Sequence, residues 1–252
     1  MRHILASSNR DVLAQLAWSK VLLAFDFDGT LAPIVEDRED AVMRGKTRAL
    51  LATVCEQYPC AVISGRAKRD VAARLGRVGM KYVIGNHGIE PGAGIARFQR
   101  DVAIFRPLLA QALAVAQGIE IEDKRYSLAV HYRAARHKRE ARSAIERAVA
   151  GLPRTMRVIA GKLVANIVPV GARNKGDVLV ELRDQEAADV ALYLGDDVTD
   201  EDVFTLDQPG RLLSIRIGKA ARSAARYYLR DQREIDRLLV YLVELRRDRR
   251  DW

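Results

Sequence analysis

The chain has 252 residues, 49% of them hydrophobic and 6% aromatic, enough for one large domain or two modest ones with a well-buried core. Its formal charge is +9, from 42 basic and 33 acidic residues. That balance favours anions in general, but there is no nucleic-acid motif and no interleaving of aromatics with basic residues, and RRDRR at 246–250 reads as a solvated helix end, so nucleic acid is not an expected partner.

The first twenty residues lack a continuous apolar stretch of the kind a secretory signal needs, and no stretch approaches a membrane span, so a cytoplasmic protein without a membrane partner is expected. VLLAF (21–25) is short and wholly apolar, which predicts a buried strand. Residues 44–57 have helical periodicity, CAVI (60–63) predicts a second buried strand, 67–75 a helix and KYVIGN (81–86) a third strand. Cys55 and Cys60 read as reduced core thiols. Short apolar strands alternating with helices indicate a parallel sheet covered on both faces, whose ligands bind beyond the carboxyl ends of the strands. Those ends carry Asp26 and Asp28, then Ser64, Gly65 and Arg66, then Asn86, His87 and Glu90.

The middle of the chain changes character. A helix is expected over 101–117, then two period-2 stretches, 119–123 and 126–133, joined as a hairpin. A second amphipathic helix follows over 137–152, then a second strand pair, 154–160 and 162–169, around Gly161. Helix, hairpin, helix, hairpin describes an α+β unit with an antiparallel sheet, flanked by glycine-bearing hinges at 91–94 and 169–173. The expected division is a core at 1–98, an inserted domain at 99–170 and the rest of the core at 171–252. After residue 174 the parallel pattern returns: a helix opening on Asn174-Lys175-Gly176, a strand at 189–197, a short helix, a strand at 211–218 and a last helix at 232–246 opened by Asp231 and Glu234 as a capping box.

The strand ends gather carboxylates, a hydroxyl and a lysine on one edge. A phosphate monoester is a dianion that a bare carboxylate would repel, and a hard cation reverses this. Mg²⁺ takes oxygen ligands, typically one or two carboxylates with water and phosphate oxygens, and Asp26 and Asp196 can supply them from neighbouring strand ends. With Lys175 and the cation screening the phosphate, a carboxylate can attack phosphorus. Ser64 and backbone N–H groups can bind the equatorial oxygens. A second carboxyl two positions along can protonate the leaving oxygen and then take a proton from water.

DFDGT, SGR, NKG and GDDVTDED, in this order across essentially the whole chain, resemble the four motifs of the haloacid dehalogenase superfamily of phosphohydrolases. The resemblance implies an α/β fold, a Rossmann-like parallel-sheet core with an inserted α+β cap of two helices on a four-stranded antiparallel sheet. It implies Asp26 as nucleophile and Asp28 as general acid/base. Ser64 and Lys175 would hold phosphate. Asp26, the Asp28 carbonyl and Asp196 would bind Mg²⁺, with Asp200 in support.

DGTLAPI, ISGR, GNHGIE, EDKRYSLAVHYR, the Gly161-Lys162 pair and GDDVTDEDVF are further similar to the trehalose-6-phosphate phosphatase family. That similarity implies a hydrolase of trehalose biosynthesis acting on a small sugar phosphate, with a pathway synthase as a partner to be considered. It implies sugar contacts from Gly65, Arg66, Asn86, His87 and Glu90 on the core, and from Glu122, Lys124, His131, Arg133 and Lys162 on the cap. The chain departs from the family's pattern at Asn166, where a glutamate is usual; an amide still bonds hydroxyls but loses charge assistance. Another glycosyl phosphate, such as sucrose 6-phosphate or a phosphorylated glucosylglycerate, and a non-catalytic sugar-phosphate sensor with the same fold are the alternatives.

Overall fold

The computed structural model describes residues 1–161, 163–206 and 208–247; Lys162 and the end of the RRDRR run lie outside them. In chain order the strands are β1 (Arg2–His3), β2 (Val21–Phe25), β3 (Cys60–Ile63), β4 (Tyr82–Ile84), β5 (Glu120–Asp123), β6 (Leu128–His131), β7 (Met156–Gly161), β8 (Val164–Pro169), β9 (Val190–Gly195), β10 (Leu212–Ile217) and β11 (Tyr227–Leu229). The α-helices are α1 (Arg10–Ala14), α2 (Gly45–Cys55), α3 (Lys68–Leu75), α4 (Ile95–Ala112), α5 (Lys138–Ala150), α6 (Lys175–Gln185), α7 (Glu201–Phe204) and α8 (Ile235–Arg247).

Seven strands form one parallel sheet in the order β1-β11-β10-β9-β2-β3-β4. Successive side chains of β2 point to opposite faces. Val21, Leu23 and Phe25 join one core with Leu51 and Val54 of α2 and Leu238, Leu239 and Leu242 of α8. Leu22 and Ala24 join another with Val178, Leu179 and Leu182 of α6 and Val203 and Phe204 of α7. Burial on both faces is why these strands are apolar without alternation. From β2 the chain builds outward through β3 and β4 on one side, and β9 later pairs with β2 on the other. The strand order therefore reverses at β2, and that crevice is where such sheets bind ligands.

The second sheet is antiparallel, in the order β5-β6-β8-β7. Leu128 and Val130 of β6 and Ala165 and Ile167 of β8 face α4 and α5, packing with Val102, Phe105, Leu109 and Ile145. The alternate residues face away from the helices. Register sets Glu122, Ala129 and Asn166 in one row and Glu120, His131 and Val164 in the next. This one-faced core leaves the opposite face polar.

Helix α4 begins at Ile95, earlier than the expected residue 101, and ends at Ala112 rather than 117. Ile95, Phe98, Val102, Phe105 and Leu109 are one continuous apolar stripe, so its start was legible beneath the glycine-rich segment before it. A domain division at 98–99 would fall inside this helix. Strands β1 and β11, two and three residues long, had no sequence expectation, because neither is long enough to carry a periodicity. At the last helix the Asp231 side chain accepts from the N–H groups of Arg233 and Glu234, as a capping residue does. The reciprocal half of the box differs: the Glu234 carboxylate accepts from Arg230 N–H and pairs with His3 Nε2 at 2.8 Å, tying the first strand to the last helix. Cys55 and Cys60 are free thiols. No helix among the described residues is long and apolar enough to cross a membrane.

Candidate active site

Asp26 follows β2 directly, and its N–H continues the ladder by donating to Leu194 O of β9 at 2.8 Å. The chain then turns sharply at Gly29, with φ +78°, beneath the Asp196 carboxylate at the end of β9. A Cβ at Gly29 would lie 2.2 Å from Asp196 Oδ2, so only glycine lets the two loops close together. Helix α6 opens on Asn174 and Asp177, which form a complete capping box, and its first residue is Lys175.

Lys175 is 1% exposed, and its Nζ donates to Asp26 Oδ1 at 2.9 Å and to Asp200 Oδ1 at 2.8 Å. Asp200 is wholly buried: Tyr193 OH donates to Oδ1 at 2.7 Å, and the N–H groups of Asp196 and Asp197 donate to Oδ2 at 2.7 and 2.8 Å. Asp197 and Asp200 together cap the short turn that follows β9. Burial alone would lower the pKa of Lys175, but the charges of Asp200 and Asp26 outweigh it and hold the ammonium charged.

Burial pushes the Asp26 carboxyl up against the pull of Lys175, and burial followed by repulsion from Asp200 and Asp197 brings Asp196 to about 7. Three carboxylates, Asp26, Asp196 and Asp200, each offer an oxygen within 4.8 Å of the others. Asp196 Oδ1 is buried and has no hydrogen-bond partner. An oxygen-only donor set, a bare buried carboxylate oxygen and one ammonium shared among crowded anions all fit a hard divalent cation.

Asp28 is turned away from this cluster. Arg66 grips it with a parallel fork, Nε to Oδ2 and Nη2 to Oδ1, both 2.8 Å, and donates through Nη1 to Asp70 Oδ2. Ser64 Oγ accepts from Arg66 N–H at 3.1 Å and is itself fully buried. Gly65 allows the His87 ring to lie against the same turn, since a Cβ there would sit 2.5 Å from His87 Cε1. Asn86 and His87 adopt φ of 51° and 58°, a left-handed pair in non-glycine residues, which marks a locally strained segment at the site. Burial, then the charges of Lys124 and Lys175, lower the pKa of His87 well below the ordinary histidine value, so its imidazole is neutral at pH 7. Neither ring nitrogen makes a well-aligned hydrogen bond.

A cleft of about 720 Å³ opens above these groups, a size suited to a small molecule. Asp26, Asp28, Gly65, Arg66, His87, Lys175 and Asp196 line it on the core side, and Glu122, Lys124, His131, Arg133 and Asn166 on the cap side. Four expected residues do not reach its wall. Asp200 lies beneath the floor, held by Lys175 and Tyr193. Ser64 lies beneath the Gly65 turn. Glu90 accepts from Lys68 N–H and from Asn86 Nδ2. Asn86 also donates to Lys124 O and accepts from Ser127 Oγ. Asn86, expected as a sugar contact, here ties the cap hairpin to the core, and Glu90, also expected as one, holds the Asn86 side chain from the core side.

Sequence reasoning missed Tyr193, Asp70 and Arg38. Tyr193 reads as one more apolar strand residue, and only the fold aims its hydroxyl at Asp200. Arg38, in the loop after β2, reaches across to Glu122. Burial would raise the pKa of Glu122, but the bond from His131 (2.9 Å), the charge of Lys124 and the contact with Arg38 hold it at about 2. A depressed carboxylate contributes stability that is complete above its unfolded-state pKa of about 4.3 and is lost as pH falls toward the folded value. Glu122→Gln is therefore expected to lower stability near neutral pH and to flatten the acid limb of a plot of urea midpoint against pH; an unchanged limb would show that the pair is not coupled to folding.

Residues 24–232 match the family model described as trehalose-phosphatase. The trehalose-phosphate phosphatase of Mycobacterium ulcerans is 38% identical over 194 residues, covering 71% of this chain and 50% of that protein. The chain thus spans about half the length of the curated relatives it matches. The fold matches the C-terminal domain of the Candida albicans trehalose-6-phosphate phosphatase with a TM-score of 0.80 at 22% identity, over 94% of this chain and 98% of that one. It also matches the C-terminal domain of a Candida albicans trehalose synthase regulatory protein, with a TM-score of 0.68 at 12% identity, over 94% and 98% of the two chains.

Proposed function

The chain belongs to the trehalose-phosphatase family, and from that membership we propose that it is a Mg²⁺-dependent phosphatase hydrolysing trehalose 6-phosphate to trehalose and phosphate. The observation that carries the reading is the buried Lys175 ammonium shared by Asp26 and Asp200 at the floor of a disaccharide-sized cleft. A nucleic-acid or peptide groove has no need of a lysine enclosed among carboxylates.

In this reading Asp26 attacks phosphorus, forming an aspartyl phosphate as the bond to the sugar oxygen breaks. Asp28, which Arg66 grips as an ion pair at the cleft wall, must leave that fork and take up a proton from solvent before it gives one to the departing oxygen; it then takes a proton from the water that cleaves the acyl phosphate. Lys175 offsets the charge of the phosphate, and Ser64, buried beneath the Gly65 turn with its Oγ accepting from Arg66 N–H, braces the turn that faces the phosphate side. Asp26, Asp196 and the Asp28 carbonyl would hold Mg²⁺, with Asp200 behind them, and the cation when bound supplies Lewis-acid screening of the phosphate charge. The neutral imidazole of His87 and the amide of Asn166 suit sugar hydroxyls, since each can donate and accept. The cap sheet, with α4 and α5 behind it, walls the cleft from water.

The test is phosphate release from trehalose 6-phosphate, sucrose 6-phosphate, glucose 6-phosphate and a phosphorylated glucosylglycerate, each with Mg²⁺ and with EDTA. A preference for trehalose 6-phosphate that EDTA abolishes is expected. Metal-dependent release from another of these would keep the chemistry and move the specificity to the Asn166 side of the cap. No release from any would favour a sugar-phosphate sensor.

A further inference from the structure

One segment of the core touches both the acid/base residue and the cap. Residues 34–41 run between β2 and α2 and form part of the cleft wall. The backbone carbonyl of Arg38 accepts from Arg66 Nη2 at 2.5 Å, and the same nitrogen grips Asp28. The side chain of Arg38 crosses the cleft to the Glu122 carboxylate, with His131 Nε2 at 3.5 Å from the same Nη1. Arg133 of the cap reaches back to Glu36 O at 2.7 Å, and Lys124 Nζ to Gly65 O at 2.9 Å. Lys124, Arg133 and Glu122 of the cap face are thus already bonded to core groups, and among the described residues Glu122 is the one bound to a core side chain of opposite charge.

We propose that Arg38 is a positioning residue: acting through Glu122, it sets where the cap's sugar-facing sheet stands relative to Asp28 and Arg66, and so discriminates a disaccharide phosphate from a smaller ester. A planar guanidinium suits this work because it holds the carboxylate at one geometry, whereas a lysine would supply only a point charge. Its side chain is 45% exposed against 19% for Glu122, so the pair is partly screened and its effect is modest in size. The proposal rests on the phosphatase reading for its substrate but not for its geometry.

The test uses Arg38→Ala, Arg38→Lys, Glu122→Gln and the double variant R38A/E122Q. For R38A the ratio of kcat/KM for trehalose 6-phosphate to that for p-nitrophenyl phosphate, too small to reach the cap, is expected to fall about fivefold, chiefly through KM. R38K should recover part of the loss, and R38A/E122Q should be no worse than the poorer single variant. Hydrogen exchange in the substrate-free protein should quicken at both 35–40 and 119–131 in R38A, a readout that stands even if no sugar phosphate is turned over. Equal losses on both substrates would overturn the proposal. So would additive effects of R38A and E122Q, which would make Arg38 an independent sugar contact, and so would unchanged exchange over 119–131.

Discussion

Asp26→Asn is expected to lower turnover by about 10⁴-fold or more, as removing a nucleophile does, while leaving the fold in place. The amide keeps the size of the side chain, and Lys175 keeps its second partner, Asp200. One buried carboxylate fewer also removes the burial cost of Asp26 and its repulsion with Asp200 and Asp196, so the unfolding midpoint should stay level or rise slightly. Rapid acid quenching with labelled substrate should trap a protein-bound phosphoryl group in the wild type and none in the variant. Turnover within about tenfold of wild type would remove Asp26 from the nucleophile's role.

Lys175→Met is the second variant with a large effect, and here stability falls with activity. Its ammonium is enclosed by Asp26 and Asp200, both buried. Methionine fills the space but leaves those carboxylates facing each other. Breaking a buried pair by removing one partner costs about 3–5 kcal/mol, which urea denaturation without divalent cation would read as a lowered midpoint at unchanged m-value. Turnover should fall by about 10³-fold, the cost of one preorganised charge on a transferring phosphoryl group. Adding Asp26→Asn should restore part of the lost stability, because it removes one of the stranded charges; such coupling is the signature of one network. Mg²⁺ should also raise the variant's midpoint, by binding only the folded cluster. Stability equal to wild type in the absence of metal would mean that the lysine does not organise the site.

The parallel core was legible because its signals are local. VLLAF and CAVI each complete an apolar run, buried on both faces, before the chain turns polar. Asp26, Asp28, Arg66 and Asp196 meet at one cleft because parallel strands put their carboxyl ends on the same edge, and Lys175 joins them from the first turn of α6. The cap sheet was legible from its alternation, which also put Glu122, His131 and Asn166 on one face. Arg38 gave no local signal: an arginine in an acidic loop reads as solvated until the cap is laid over it. Asn86 and Glu90 looked like ligands from their place after a strand, yet the hairpin turn docks on Asn86 and uses its polar atoms, while Glu90 braces Asn86 and the start of α3.

The sequence by itself determined five of the seven strands of the parallel sheet, the order of the acidic and basic groups along its edge, and a second, antiparallel sheet from the middle of the chain. The tertiary structure decided which of those polar groups face the cleft and which are spent in holding cap to core. It also decided that Tyr193 turns its hydroxyl to Asp200, and that β1 and β11 close the sheet's far edge. The physical reason is range. Burial and periodicity act over a few neighbouring residues, whereas the partner of a polar atom depends on which distant segment the packed fold brings within hydrogen-bonding distance.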